Sequence, residues 1–354
     1  MLKKYKKIII PFFIVVFSVI IINAFHVDSS KDTPKSKTGL FLGTIINITI
    51  YDPLSDQSFE KIYTDIFKKL QSIENKMSIN IDNSEVSKIN ENAGKIHTKV
   101  SPETFYVINK GKYYSNLSNG VFDISIGPLV KLWGIGSDHA RVPSKEEILA
   151  RKKYIDFQNV LLDESNNTIQ LTQKGMILDL GGIAKGYAAD VICKYLKDKN
   201  IKNAIINLGG NIYALGSKPG SDFWNIGIQN PTEPRGAYVG IVHVVNKSVV
   251  TSGIYERFLI KNGIHYHHIL SPFTGYPVEN ELASVSIIAD HSIDGDGLST
   301  TIFSLGIKNG SKLVESIEGI DAIFITKNNA VYITSGLKNN FTLKNADFIL
   351  KNTI

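Results

Sequence analysis

The sequence predicts an α+β fold in which one large mixed α/β domain follows an N-terminal transmembrane segment. Strand and helix patterns occur in mixed order, without the regular alternation that is typical of a parallel sheet. Hydrophobic residues make up 43% of the 354 positions, which is enough for a substantial core. A charge-free stretch near the start precedes these patterns. We therefore expect an anchor at residues 1–26, a polar linker at 27–38 and the folded domain at 39–350.

The N-terminal segment predicts a location at the cell membrane. Residues 8–25 contain no charged residue, which is close to the shortest length of a transmembrane helix. Lys3, Lys4, Lys6 and Lys7 before it favour a cytoplasmic start, so a single pass would place the domain outside. A cleaved signal peptide is the alternative, although no clean cleavage site follows. Without these four lysines the chain has 35 basic and 33 acidic residues, so we expect no nucleic acid partner.

The first elements of the domain are a strand and an amphipathic helix. Ile46, Ile48 and Ile50 alternate along a strand that we place at residues 44–51. Apolar residues then recur at helical spacing: Phe59, Ile62, Tyr63, Ile66, Phe67, Leu70 and Ile73. Another helix is expected to start at Ser101-Pro102, because serine is a good cap and proline suits the first turn.

Most of the later elements are strands. Short strands are expected at residues 160–162 and 168–172, and a buried strand at 204–208 ends at Gly209-Gly210. Residues 321–326 and 330–334 are separated by three polar residues and predict a hairpin. The only cysteine, Cys193, lies in an apolar pattern, which indicates a buried helix position.

Two separated clusters have the residue types of a phosphate site. Residues 179–190 place small residues and Lys185 at a helix start, where backbone N–H groups can approach an anion. Residues 294–301 supply Asp296 and Thr300, hard oxygen ligands of the kind that magnesium takes together with a phosphate. The alternative is structural: the glycines serve packing, Asp296 is a helix cap and Thr300 bonds its own helix. A dinucleotide fold is disfavoured, because no Gly-x-Gly-x-x-Gly follows a strand here.

A histidine-rich segment gives a candidate base. His265, His267 and His268 fall within four positions. Three histidines can bind zinc, but the further ligands of such a site at helical spacing are absent. A histidine that takes a proton from a hydroxyl nucleophile is chemically the better interpretation, since its pKa lies near neutral pH.

Short motifs along almost the whole domain resemble one family. In chain order they are Phe41-Leu-Gly-Thr44, Met77-Ser78, Ser84-Glu-Val-Ser-Lys-Ile-Asn90, Gly120-Val-Phe-Asp-Ile-Ser-Ile-Gly-Pro-Leu129, Asp179-Leu-Gly-Gly-Ile-Ala-Lys-Gly186, Asn207-Leu-Gly-Gly-Asn211, Trp224-Asn-Ile-Gly-Ile228, Thr251-Ser-Gly253, His267-His-Ile269, Thr274-Gly-Tyr-Pro277 and Asp296-Gly-Leu-Ser-Thr300. A single motif of this kind is weak evidence, but this order is specific. The chain resembles the ApbE family, the FAD:protein FMN transferases.

The resemblance implies an enzyme that binds FAD with Mg²⁺, cleaves the pyrophosphate and attaches FMN to an acceptor protein, releasing AMP. The acceptor hydroxyl belongs to a Ser/Thr-Gly-Ala-Ser/Thr motif. By resemblance the metal ligands are Asp296, Thr300 and the backbone carbonyl of Ala184, and the candidate catalytic residues are His268 and Asp296. The FAD-binding positions implied in the same way are Leu42, Met77, Gly120, Val121, Phe122, Asp123, Gly181, Lys185, Tyr187 and Leu270.

The chain departs from the family pattern at four places. Leu42 stands where methionine is common, a change that conserves volume. Gly297 replaces alanine, which we expect to loosen the helix that presents the metal ligands by about 1 kcal/mol. Ser271 replaces an aspartate, so any charge which that aspartate lends to His268 is missing. The lipoprotein cysteine is absent, and residues 8–25 would serve as the anchor instead.

Two other functions stay open from the sequence. One is flavin storage without transfer, and the other is hydrolysis of FAD to FMN and AMP by a metal-dependent pyrophosphatase. Retention of Asp296, Thr300 and His268 argues against storage alone. Hydrolysis is harder to exclude, because water can take the place of the acceptor hydroxyl.

Overall fold

The computed structural model describes residues 33–351, which form seven α-helices and seventeen strands. The helices are α1 (Asp56–Met77), α2 (Glu85–Glu91), α3 (Pro102–Leu117), α4 (Gly127–Trp133), α5 (Lys145–Lys152), α6 (Ala184–Asp198) and α7 (Ser292–Glu315), with short 3-10 helices at Phe157–Asn159 and Ser335–Leu337. The strands are β1 (Lys35–Phe41), β2 (Thr44–Ile50), β3 (Thr98–Lys99), β4 (Val160–Asp163), β5 (Thr168–Leu171), β6 (Ala204–Leu208), β7 (Asn211–Leu215), β8 (Trp224–Gln229), β9 (Tyr238–Val244), β10 (Lys247–Gly253), β11 (Phe258–Lys261), β12 (Ile264–His267), β13 (Leu282–Ala289), β14 (Asp321–Thr326), β15 (Ala330–Ile333), β16 (Phe341–Leu343) and β17 (Ile349–Leu350).

A nine-stranded sheet forms the centre of the fold, in the order β1-β2-β6-β7-β10-β13-β14-β15-β17. Its neighbours are antiparallel except for β15 and β17. The main core packs α1, α3, α6 and α7 on one face, and a second core packs the small sheet β16-β9-β8 on the other. Every residue of β13 is buried, as expected for a central strand covered on both faces. The predicted α+β class is confirmed.

Elements with a strong local pattern appear where the sequence predicts them. Six of the seven apolar residues predicted for α1 are buried, and the seventh, Phe67, packs against the core from a partly exposed position. The Ser101 hydroxyl caps α3, with Pro102 in its first turn. Gly209 and Gly210 both have positive φ, at 67° and 97°, and they turn β6 back into β7. The predicted hairpin is β14 and β15.

The sheet begins earlier than predicted. β1 starts at Lys35, so residues 35–38 of the expected linker belong to the sheet rather than to a tether. The strand is at the sheet edge, where alternating lysines are tolerated, and Lys35 and Lys37 pair with Asp56 and Glu60 of α1. The predicted anchor lies outside the described residues. Within residues 33–351, the helices are too short or too polar to cross a membrane.

Candidate functional site

The starts of α6 and α7 meet at very close range. The Gly186 N–H donates to Asp296 Oδ2 at 2.8 Å. A Cβ at Gly186 would lie 2.4 Å from the Ser292 carbonyl oxygen and 2.8 Å from Asp296 Cβ, so only glycine permits this approach. Asp190 accepts hydrogen bonds from the N–H groups of Ser292 and Ile293 at 2.7 and 2.9 Å. The two predicted clusters are therefore joined by hydrogen bonds as well as by packing.

Two of the predicted metal ligands, Asp296 and Thr300, lie at this junction. Asp296 is 4% exposed, and its Oδ1 lies 3.6 Å from Lys185 Nζ. Thr300, one helical turn later, lies with its Oγ1 3.4 Å from Ser252 Oγ and faces Gly182 in the segment before Ala184. The donors are a carboxylate, a hydroxyl and a backbone carbonyl, all oxygens, and this set fits Mg²⁺ that keeps water and substrate phosphate as its other ligands. No cluster of three His, Cys, Asp or Glu side chains suited to a metal occurs among residues 33–351.

Asp294 and Asp296 point to different partners although only one residue separates them. Asp294 Oδ1 accepts from Lys110 Nζ at 2.8 Å and from the Tyr114 hydroxyl at 2.5 Å, both on α3. The Tyr114 ring also covers Gly297, where a Cβ would lie 2.5 Å from Tyr114 Cδ2. The loosening of α7 by Gly297 stays a prediction, and the structure adds that the glycine makes room for this ring.

Three cations surround a carboxylate at the start of the first cluster. The Asp179 Oδ1 accepts from the Gly181 N–H at 2.7 Å. Burial raises the pKa of Asp179, while the nearby charges of Lys185, Arg257 and Lys131 act against that rise. These three cations outnumber the two carboxylates near them, Asp179 and the Asp296 partner of Lys185, so the neighbourhood favours an anion such as a phosphate.

His268 is held with one ring nitrogen against the main chain. Its backbone N–H and its Nδ1 lie 3.1 and 3.2 Å from the carbonyl oxygen of Arg257. A proton on Nδ1 satisfies that carbonyl and leaves Nε2 as an acceptor. Burial, together with the charges of Arg257 and Lys185, lowers the pKa of His268 to about 3, so the ring is neutral at physiological pH.

The neighbouring histidines have other roles. His267 Nε2 lies 2.9 Å from the Val278 carbonyl oxygen, and its Nδ1 accepts from the Ile269 N–H at 3.3 Å. Both nitrogens are thus occupied, which leaves no lone pair for zinc. The ring of His265 lies 4.3 Å from that of Phe258. The Ser271 hydroxyl accepts from the Thr274 N–H at 3.2 Å, so it caps a turn in the loop that follows.

The residues predicted to bind FAD lie in several separate segments of the chain, both loops and helices. Leu42 is at the β1–β2 turn with φ 52°, and its N–H donates to Glu74 Oε1 at 2.8 Å. Phe122 is buried, and its ring lies against Gly182. Val121 lines a neighbouring cleft of about 450 Å³ with Phe273.

Several other residues predicted to contact FAD have structural partners within the protein. The Asp123 carboxylate accepts from the Ser125 N–H and hydroxyl and from the Phe157 N–H, and burial raises its pKa to about 6. Met77 and Leu270 are buried in hydrophobic clusters. Gly120 has φ +80° beside the rings of Phe157 and Phe273, and Gly181 is exposed. Tyr187 is partly buried, which raises its pKa to about 12.

The sequence model that describes the ApbE family matches residues 42–324, most of the chain. The chain belongs to the ApbE family. A Klebsiella pneumoniae protein named FAD:protein FMN transferase is 39% identical over 300 residues, covering 85% of this chain and 92% of its own. A Treponema pallidum protein of the same name is 35% identical over 329 residues, covering 89% of this chain and 91% of its own.

Solved ApbE structures share the fold along nearly their whole length. The ApbE protein of Thermotoga maritima superposes with a TM-score of 0.78 at 32% identity, covering 86% of this chain and 98% of its own. The flavin transferase ApbE of Vibrio cholerae gives a TM-score of 0.77 at 28% identity, covering 87% and 100%. The mixed α/β domain is thus that of the ApbE family.

Sequence reasoning did not assign several residues of this ApbE site. Asp190 and Ser252 support α7, through its first N–H groups and through Ser299 and Thr300. Arg257 and Asp179 belong to the charged neighbourhood of His268 and Lys185. All four lie inside or beside the recognised motifs, which was the only available signal. Their partners are too distant in sequence for local patterns to identify.

Proposed function

We propose that this protein transfers FMN from FAD to a hydroxyl of an acceptor protein, with Mg²⁺ as the metal. The observation that supports this best is His268, whose Nδ1 is held against the Arg257 carbonyl and whose pKa is lowered in part by the charge of Lys185, the residue whose Nζ lies 3.6 Å from Asp296 Oδ1. A proton acceptor, cations and metal-ligand oxygens are the parts that phosphoryl transfer requires. The relatives are named for FMN transfer from FAD to a protein, which supports that part of the proposal.

His268 takes the role of general base. Its Nε2 accepts the proton of the acceptor serine or threonine, whose oxygen then attacks the phosphorus on the FMN side. The bond from that phosphorus to the bridging oxygen breaks, and AMP leaves with the electron pair. A pKa of about 3 makes the free histidine a weak base, but a bound pyrophosphate adds negative charge that favours the protonated ring.

Charge neutralisation on the leaving group falls to the junction of α6 and α7. Lys185 extends from the first turn of α6 between the Gly181 carbonyl and Asp296. The side chains of Asp296 and Thr300 and the carbonyl of Ala184 would hold Mg²⁺. When bound, this ion would polarise the pyrophosphate oxygens. Because the helix starts are fixed by hydrogen bonds before substrate arrives, little reorganisation is needed.

The proposed location follows from the N-terminal residues. The uncharged segment 8–25 after four lysines favours a membrane anchor with the catalytic domain outside the cytoplasm. We expect the acceptor to carry a Ser/Thr-Gly-Ala-Ser/Thr motif in the same compartment.

The test is transfer to an acceptor domain, followed by intact-protein mass spectrometry. Full-length protein is incubated with FAD and Mg²⁺, with and without the acceptor, and AMP and free FMN are measured in parallel. We expect covalent FMN on the acceptor and AMP in equal amount. Free FMN with an unmodified acceptor would instead identify a pyrophosphatase. His268→Gln should slow transfer by about 10²–10⁴-fold while FAD still binds.

A further inference from the structure

Arg257 connects two parts of the site that are far apart in sequence. It lies between β10 and β11, and its side chain is exposed. Its guanidinium Nη2 donates to the Gly43 carbonyl oxygen at 3.1 Å, across 214 residues. Its own carbonyl oxygen accepts hydrogen bonds from the backbone N–H of His268 and, when that nitrogen is protonated, from the His268 Nδ1. One residue therefore contacts the β1–β2 turn through its side chain and the proposed base through its main chain.

The turn that Arg257 contacts has a demanding geometry. Leu42 and Gly43 have φ values of 52° and 66°, and a leucine rarely adopts the left-handed region. Such a conformation persists only where the surroundings hold it. Here the Leu42 N–H is held by Glu74 and the Gly43 carbonyl by Arg257.

The aliphatic part of the Arg257 side chain also packs closely against Gly136. A Cβ at Gly136 would lie 3.2 Å from Arg257 Cδ, and Gly136 has φ +92°. A larger residue there would be strained and would crowd the stem. Three segments, namely the β1–β2 turn, the loop after α4 and the His268 segment, thus meet at Arg257.

We propose that Arg257 is a positioning residue that couples the β1–β2 turn to His268, so that the flavin-side loop and the base keep a fixed relative geometry. This inference rests on the proposed transfer reaction for its kinetic consequence. Its structural part does not depend on that reaction. Lys131, in the last turn of α4, also places a positive charge near Asp179. It therefore serves as the control for an effect of charge alone.

The matched variants are Arg257→Met, Arg257→Lys and Lys131→Met. Arg257→Met keeps the aliphatic stem and removes both the charge and the donor. Arg257→Lys keeps the charge and one donor. Lys131→Met removes a cation from the same neighbourhood and leaves the link to Gly43 intact.

The first measurement is hydrogen exchange of full-length protein without FAD. We expect exchange at Leu42 to quicken about tenfold or more in Arg257→Met, to recover partly in Arg257→Lys and to stay at the wild-type rate in Lys131→Met. Imidazole ¹⁵N spectra should also change. In wild-type protein the His268 proton should be on Nδ1, and in Arg257→Met it should be shared between Nδ1 and Nε2. Unchanged exchange at the turn together with an unchanged tautomer, or equal effects from Lys131→Met, would overturn the proposal.

The second measurement separates positioning from binding. At saturating FAD, we expect transfer by Arg257→Met to slow by about 10–100-fold, as small misplacements do, with partial rescue in Arg257→Lys. A loss seen only in FAD affinity would make Arg257 a binding charge and overturn the coupling role. If wild-type protein transfers no FMN, the proposed function fails, while the exchange and ¹⁵N data still decide the coupling. If Arg257→Met does not fold, Arg257→Gln takes its place in the same measurements.

Discussion

Replacing Gly297 by alanine should destabilise the protein, although alanine is the better helix former. Gly297 lies inside α7 under the ring of Tyr114. An added Cβ would lie 2.5 Å from Tyr114 Cδ2 and 2.8 Å from Cε2, whereas favourable carbon contacts are at about 3.5–4.0 Å. Relief of this clash therefore needs a movement of the ring by about 1 Å. That movement draws its hydroxyl away from Asp294, 2.5 Å away.

Comparison of the favourable and unfavourable terms gives the sign of the change in the free energy of unfolding. Alanine gains about 1 kcal/mol of helix propensity. Overpacking costs about 1–3 kcal/mol, and loss of a hydrogen bond to a carboxylate costs about 1.5–3 kcal/mol. The ring either stays and clashes or moves and loses its bond, so the two costs are not added. After the gain in helix propensity is subtracted, we expect a net loss of about 0.5–2 kcal/mol from the free energy of unfolding.

The assay is urea unfolding of the single and double variants with Tyr114→Ala. In the Tyr114→Ala background the clash is gone, so Gly297→Ala should stabilise the protein by about 1 kcal/mol. The same substitution thus changes sign with its neighbour. A stabilising Gly297→Ala in the wild-type background would refute the argument. Equal effects in both backgrounds would show that the ring and the glycine are not coupled.

Three further outcomes are expected. Asp296→Asn should keep the fold, since an amide oxygen can still accept a hydrogen bond from the Gly186 N–H. Transfer should nevertheless fall by at least about 10²-fold, because the charge that would hold the metal is lost. An unchanged dependence of transfer on magnesium concentration would contradict the ligand role of Asp296. The pH profile of kcat/KM should show no inflection at the ordinary histidine pKa near 6.5, because burial and nearby cations lower the pKa of His268 to about 3, and an inflection there that disappears in His268→Gln would contradict this. Full-length protein should sediment with membranes and keep its first residues, whereas a soluble product that begins after Phe25 would indicate a cleaved signal peptide.

Local patterns predict individual elements of this fold well, since periodicity and caps act over a few residues. They place α1 and the β14–β15 hairpin closely. β1 was not predicted, because the lysines that mark a linker composition here alternate along an edge strand. The strand order of the central sheet is not predictable in this way. β2 pairs with β6, about 150 residues later in the chain, and that pairing depends on which faces the helices cover.

For the site as for the fold, local motifs identify some residues but not the partners that lie far away in the sequence. Motifs identify Asp296, Thr300 and His268, and the structure brings the first two to the junction of α6 and α7. Their supporting contacts come from elsewhere. Asp190 reaches α7 across 102 residues, and Arg257 reaches the β1–β2 turn across 214. Such pairs become visible only when the sheet has brought the segments together.

The arrangement of α7 leaves little space for larger side chains at the junction. Residues two apart on a helix face nearly opposite directions, so Asp294 turns toward α3 and Asp296 toward α6. Both neighbours approach so closely that a glycine is needed on each side, Gly297 under Tyr114 and Gly186 against α7. The helix that carries the proposed ligands is thus clamped from two sides before any substrate binds. We therefore expect a change on either side to act on phosphate chemistry through the position of Asp296, without touching the substrate.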